Sequence, residues 1–183
     1  MTRIYLAAVG AVAPAPVDWI QEVLEAWFPF PTFRMALPLP AECLVASRQQ
    51  YSSVELLRRL AAAAPRDTER ILGVTEGDLS IPMLTFLFGQ AQLDGKVALV
   101  SLCRLRQEFY QLPSDAGLLR ERAVKEALHE MGHTFGLTHC PDAGCPMSLS
   151  TDIELVDAKG ERYCPRCGAH LARRFARMNG GST

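Results

Sequence analysis

No apolar run in this 183-residue chain approaches the roughly 18 residues that a helical bilayer span requires, so an integral membrane protein is excluded. Charge of either sign is not in excess: 19 Lys and Arg against 20 Asp and Glu leave a formal net charge of −1, no global field for DNA, RNA or an anionic membrane. Internal repeats and low-complexity linkers are missing, and the 12 prolines and 13 glycines are scattered evenly, which excludes collagen, a long coiled coil and an intrinsically disordered chain. Six cysteines are too few for a disulfide scaffold at this length. The expectation is one soluble, monomeric, cytoplasmic domain over residues 1–183. It divides into an N-terminal sheet and helix part, 1–135, and a C-terminal part, 136–183.

The N-terminal stretch MTRIYLAAVGAVA superficially matches a secretory signal, but its basic region is a single Arg3, Gly10 interrupts the apolar run and Pro14 follows. A buried strand over Arg3–Val9 is the better reading, and no propeptide is expected. A helix over Val17–Phe28 places Val17, Ile20, Val23, Leu24 and Trp27 on one face and is stopped by Pro29 and Pro31. A strand over Thr32–Leu37 follows, then a helix capped by Ser53 and running to Ala64, with Val54, Leu57, Leu60 and Ala61 inward. Arg70–Thr75 is the next strand. Thr85–Gln90 and Lys96–Leu102 read as paired strands around the turn signal Asp94-Gly95. Asp115–Phe135 is a long amphipathic helix whose Leu118 and Leu119 oppose the charged Arg122, Lys125 and Glu126. Gly136 to about Tyr163 has little periodicity, and Asn179–Thr183 reads as a frayed tail. Strands alternating with helices imply crossover units, a mixed α/β fold and a partly parallel sheet.

Three of the four histidines fall within 11 residues, in the string His129-Glu130-Met131-Gly132-His133-Thr134-Phe135-Gly136-Leu137-Thr138-His139, which fits HExxHxxGxxH. Residues four apart lie about 40° apart around a helix, so His129 and His133 can bind one small cation with Glu130 beside them. A sharp turn must bring in a third ligand; Gly136 tolerates the positive φ such a turn needs, and His139 is that ligand. Three histidines on Zn²⁺ leave one position for water, and Glu130 can take its proton during attack on a carbonyl. The implied chemistry is amide hydrolysis.

Cys140, Cys145, Cys164 and Cys167 form C-x4-C and C-x2-C pairs, the ligand set of a closed structural zinc site. A thioredoxin-like role for Cys164-Pro165-Arg166-Cys167 competes, but the partner knuckle argues against it. Cys43 and Cys103 read as buried thiols, and His170 as a surface or capping residue.

The extended pattern HExxHxxGxxHCxxxxCxM followed by CxxC, running from His129 through Cys140, Cys145 and Met147 to Cys164 and Cys167, resembles the archaemetzincins, a branch of the metzincin zinc metallopeptidases. Gly73-Val74-Thr75 with Asp78-Leu79, Phe86 to Gly89, Arg104-Leu105-Arg106 with Phe109-Tyr110, and Glu121-Arg122 leading into Lys125-Glu126-Ala127 also read like the family, so the resemblance covers about residues 70 to 170. The spacing of 16 residues between Met147 and Cys164 is one shorter than the family pattern. The resemblance implies a twisted mixed sheet with one antiparallel edge strand, a backing helix and an active-site helix. It further implies two zinc ions, one catalytic and one structural, and Met147 in a turn beneath the catalytic one. Phe86–Ala91 would be the edge strand above the cleft, able to pair with a substrate backbone. Tyr163, downstream of Met147, becomes a candidate oxyanion donor.

The function this supports is a zinc-dependent peptidase acting on peptides or small proteins, with Glu130 as acid and base. The alternative is a zinc-stabilised peptide- or protein-binding module with weak or no catalysis, against which the retained Glu130 argues. Hydrolysis of a non-peptide amide is a third reading.

Overall fold

The computed structural model describes residues 2–180. Its first unit is a crossover: strand β1 (Arg3–Val9), helix α1 (Pro14–Trp27) and strand β2 (Thr32–Leu37), with β2 parallel to β1 from Ile4↔Thr32 to Val9↔Leu37. Two short strands, β3 (Leu44–Val45) and β4 (Gln50–Ser52), lead into helix α2 (Ser53–Ala63) and strand β5 (Thr68–Thr75), which lies parallel to β1 on its other side. Strands β6 (Leu79–Ile81), β7 (Leu84–Leu87), β8 (Gly89–Ala91) and β9 (Val97–Ser101) precede helix α3 (Ala116–Thr134). Helices α4 (Ile153–Ala158) and α5 (Pro165–Gly180) complete the order. The main sheet runs β2-β1-β5-β9-β8, parallel except for the antiparallel edge strand β8; a second sheet runs β3-β4-β6-β7.

The side-chain period of two sorts the main sheet into two faces. Ile4, Leu6, Leu72, Val74, Ala98 and Val100 pack under α1 and α3, whereas Ala7, Val9, Ile71, Val97 and Leu99 pack under α2. Burial on both faces explains why β9 reads as an unbroken apolar run.

Several expectations need correction. In α2 the cap is Ser52, whose Oγ accepts from the Glu55 N–H, and the buried stripe is Ser53, Leu56, Leu57 and Leu60; Val54 and Ala61 face solvent. Ser53 is instead buried, donating to Gln90 Oε1. Thr85–Gln90 is not one strand: it breaks at Phe88, with β7 in the second sheet and β8 pairing β9 through Gly89↔Val100. The supposed charged solvent face of α3 is buried, because Arg122 holds Asp157 through two hydrogen bonds of 2.6 and 2.7 Å and Lys159 holds Glu126 at 2.8 Å. Helix α5 was not expected. Its Cys167, Leu171, Phe175 and Met178 recur at helical spacing, and Phe175 meets Phe28, Phe30 and Phe135 edge-on. Asn179 and Gly180, expected in a frayed tail, end this helix, and residues 181–183 lie outside the described residues.

Candidate metal centre and active site

Helix α3 starts at Asp115, whose carboxylate accepts from the Leu118 N–H, and carries its last turns beneath the sheet edge. Its end is closed by Gly136 at φ 88°: the Leu137 N–H reaches the Gly132 carbonyl and the Gly136 N–H the His133 carbonyl, the paired bonds of a left-handed helix stop. Arg70, stacked 4.1 Å over Phe135, donates to the Thr134 carbonyl and places a cation at the negative end of the helix dipole. The chain is thereby reversed, and His139 returns to the two helix histidines.

His129 Nδ1 donates to the Pro146 carbonyl at 2.8 Å and His133 Nδ1 to the Leu137 carbonyl at 2.7 Å. A carbonyl only accepts, so both rings keep a bare Nε2. Those two Nε2 atoms lie 3.1 Å apart, close to the edge of about 3.3 Å that Zn–N bonds of 2.0–2.1 Å give a tetrahedron. One ligand atom from each of His129, His133 and His139 falls within 4.8 Å of the others. Burial holds His129 well below the ordinary imidazole range, helped by Lys159 and His133, and holds His133 and His139 down as well. All three are therefore held as the neutral rings a metal needs. The donor set fits zinc. Met147 is fully buried, its sulfur against Gly132 between the two helix histidines, and its carbonyl accepts from the Cys140 N–H.

Glu130 is 4% exposed. Burial pushes its carboxyl well above the usual range, Glu126 pushes the same way, and Lys159 opposes both. It packs against Gly89 of β8 so closely that a Cβ there would sit 2.6 Å from its Oε1 and 2.7 Å from its Cγ. The histidines, Glu130 and the segment Leu84–Ala91 line one cavity of about 590 Å³, together with Leu149–Thr151, Glu126 and Lys159. Gly89 lies here as part of the edge strand expected above the cleft, whereas Glu126, read only as part of a charged helix face, and Lys159, which carries no motif, were not expected in the cavity.

Tyr163 is not in this cavity. Its hydroxyl donates to the Leu128 carbonyl at 2.6 Å and its ring packs on Trp27 behind α3, so the oxyanion assignment is withdrawn.

Cys140, Cys145, Cys164 and Cys167 converge at the start of α5. Cys140 Sγ and Cys164 Sγ lie 3.7 Å apart, far beyond a disulfide and close to the tetrahedral edge of about 3.8 Å expected from Zn–S bonds of 2.3 Å. The Cys164 thiol is drawn down to about 7, chiefly by the Cys167 backbone N–H. These residues also fit a metal. Cys43 is buried as expected, whereas Cys103 is partly exposed.

The family model described as peptidase family M54 matches residues 45–173. The chain belongs to peptidase family M54. It is 40% identical over 165 residues to the archaemetzincin of Methanocaldococcus jannaschii, covering 90% of each chain. It is 43% identical over 139 residues to that of Methanopyrus kandleri, covering 76% of this chain and 75% of the relative. Among solved structures, the M. kandleri archaemetzincin superposes with a TM-score of 0.84 at 36% identity over 96% of both chains, and that of Archaeoglobus fulgidus with 0.80 at 34% over 92% and 99%. The M54 chain is thus a zinc metallopeptidase with the mixed α/β archaemetzincin fold, acting on peptides or proteins. Among the described residues no helix is long and apolar enough to cross a membrane.

Proposed function

We propose that this chain hydrolyses peptide bonds with His129, His133 and His139 as ligands of a catalytic zinc and Glu130 as the proton carrier, acting as a monomeric, single catalytic domain in the cytoplasm. The observation that carries the reading is the shared cavity, where one nitrogen from each of three imidazoles and one buried carboxylate lie beside a free strand edge. Zinc held there supplies Lewis acidity toward the scissile carbonyl and the attacking water. Glu130 takes the proton released in the attack and returns it to the leaving amine nitrogen, a role suited to a carboxyl whose affinity for protons burial has raised.

The substrate backbone pairs with β8, the open edge of the main sheet. Pairing stops short of the start of β7, where the Leu84 and Thr85 carbonyls already accept from Arg48, and Thr85 also from Gln50. Apolar cavity walls from Phe86, Phe88 and Leu149 hold the flanking side chains. Cys140, Cys145, Cys164 and Cys167 hold a second, structural zinc that fastens the irregular stretch after α3 to α5.

Mass-spectrometric cleavage profiling on a diverse peptide library, with zinc-loaded parent beside Glu130→Ala, tests the reading. Cuts by the parent that the variant lacks are expected. Equal turnover by the variant overturns the role of Glu130, and silence from both with zinc bound favours the binding module. Cys164→Ser should lower bound zinc from two ions to about one per chain by elemental analysis; unchanged content refutes the four-cysteine site.

A further inference from the structure

Helix α5 carries four arginines and no acidic residue, in a chain whose net charge is −1. Three of them, with the one histidine outside the zinc motif, fall at His170, Arg173, Arg174 and Arg177, spaced i, i+3, i+4 and i+7 on a single helical face. The adjacent face is occupied by Cys167, Leu171 and Phe175, which pack in the core. The basic face does not stand out into solvent as a simple ridge. It forms one wall of a depression of about 340 Å³ whose other wall is the turn at Gly136 with Leu93, Asp94 and Phe135. A second depression of about 340 Å³ shares Gly136, His170 and Arg173 with the first and runs along Thr138 to His139. His139 also lines the catalytic cavity, so the two basins form a basic groove that borders the cavity at this side chain.

The charges of this groove are only partly answered within the chain. Arg174 meets Asp94 at 2.6 Å, but its Nε is buried with no hydrogen-bond partner among the described residues. Arg173 and Arg177 are exposed, and no salt bridge or side-chain hydrogen bond joins either to a described residue. Uncompensated guanidinium groups leading into an active-site cleft attract an anionic segment of whatever occupies the cleft.

We infer that this groove is a docking site for an acidic stretch of the peptide substrate, lying to one side of the bond to be cut. This rests on the peptidase reading above. From His170 to Arg177 the helix rises about 10 Å, the length of about three residues of extended peptide. The preferred substrate therefore carries a run of about three Asp or Glu residues that follows the chain out of the cleft past His139. A guanidinium grips a carboxylate through two parallel hydrogen bonds, which favours arginine over lysine at such a site.

The test uses zinc-loaded protein and peptides with one common core, extended at either end by three glutamates or three glutamines. Affinity is read by fluorescence anisotropy on the Glu130→Ala protein, and KM and kcat on the parent. Expected is about tenfold tighter binding for the glutamate extension at one end only, seen in KM and not kcat, and lost between about 50 and 500 mM salt. The difference between the two extensions should vanish in Arg173→Ser/Arg177→Ser, whose fold circular dichroism and melting temperature would verify. Equal affinity for both extensions, or a preference that survives the double substitution, overturns the inference. An oligonucleotide displacing the glutamate peptide at lower concentration than a matched acidic peptide overturns it in favour of a nucleic-acid surface. Triglutamate alone, followed by NMR shifts at α5, separates the two readings: binding to the groove without any cleavage by the parent removes the peptidase and leaves the groove.

Discussion

Gly89→Ala places one methyl group between the zinc helix and the edge strand, where no space exists for it. The added Cβ would lie 2.6 Å from Glu130 Oε1, 2.7 Å from Glu130 Cγ and 2.7 Å from the Leu99 carbonyl oxygen. The carboxylate could swing away, but the carbonyl belongs to the interior strand β9, whose neighbours β5 and β8 fix it on both sides. Overpacking of this kind costs about 1–3 kcal/mol. In a domain of this size each kcal/mol lowers the melting temperature by about 2–4 °C, so a fall of about 2–12 °C is expected by calorimetry. Because the easier relief is displacement of Glu130, turnover should fall at least about tenfold, since a general base must stand within hydrogen-bond reach of its proton. Zinc content should not change, as the three atoms nearest the methyl belong to Glu130 and Leu99 and not to the proposed metal ligands. The measurement is a set of three on one preparation: melting temperature, kcat on a peptide the parent cleaves, and bound zinc. A variant that keeps the parent's melting temperature and kcat would show that Glu130 does not pack on this strand.

Lys159→Met leaves Glu126 charged and alone in a buried site and should cost about 3–5 kcal/mol in urea unfolding, whereas Glu126→Leu/Lys159→Met together should be near neutral; equal losses in both would mean that the pair is not electrostatically coupled. Tyr163→Phe removes the donor to the Leu128 carbonyl and should destabilise by about 1–3 kcal/mol while kcat stays within about twofold; a large loss of kcat would return the hydroxyl to the mechanism. Glu130 in the metal-free protein has a raised pKa, so its contribution to stability is complete below about pH 4.5 and is lost as pH rises through the folded value. Metal-free Glu130→Gln should therefore match the parent's melting temperature near pH 4 and exceed it at pH 8, and a gap that fails to widen with pH would contradict the burial.

The strands Arg3–Val9 and Thr32–Leu37, the span of α3 and the spacing of the three histidines and four cysteines were legible because each depends on local chain geometry. Two histidines four apart on a helix must share a side, and a glycine at Gly136 is needed wherever a helix stops in the left-handed region. The break of residues 84–91 into two sheets was not legible, because a single partly apolar run carries no mark of which half pairs with β6 and which with β9. Nor was the burial of Arg122, Lys125 and Glu126: a charged residue reads as solvent-facing until the elements bringing Asp157 and Lys159 against it are known. Helix α5 hid behind arginines whose long side chains mask the apolar stripe Leu171, Phe175, Met178. The sequence by itself thus determined which residues could hold a metal, since donor identity and spacing are local. Tertiary structure alone decided what surrounds that chemistry: the strand that presses on Glu130, the ion pair behind it, and the withdrawal of Tyr163, all set by contacts between residues roughly 30 or more apart in the chain.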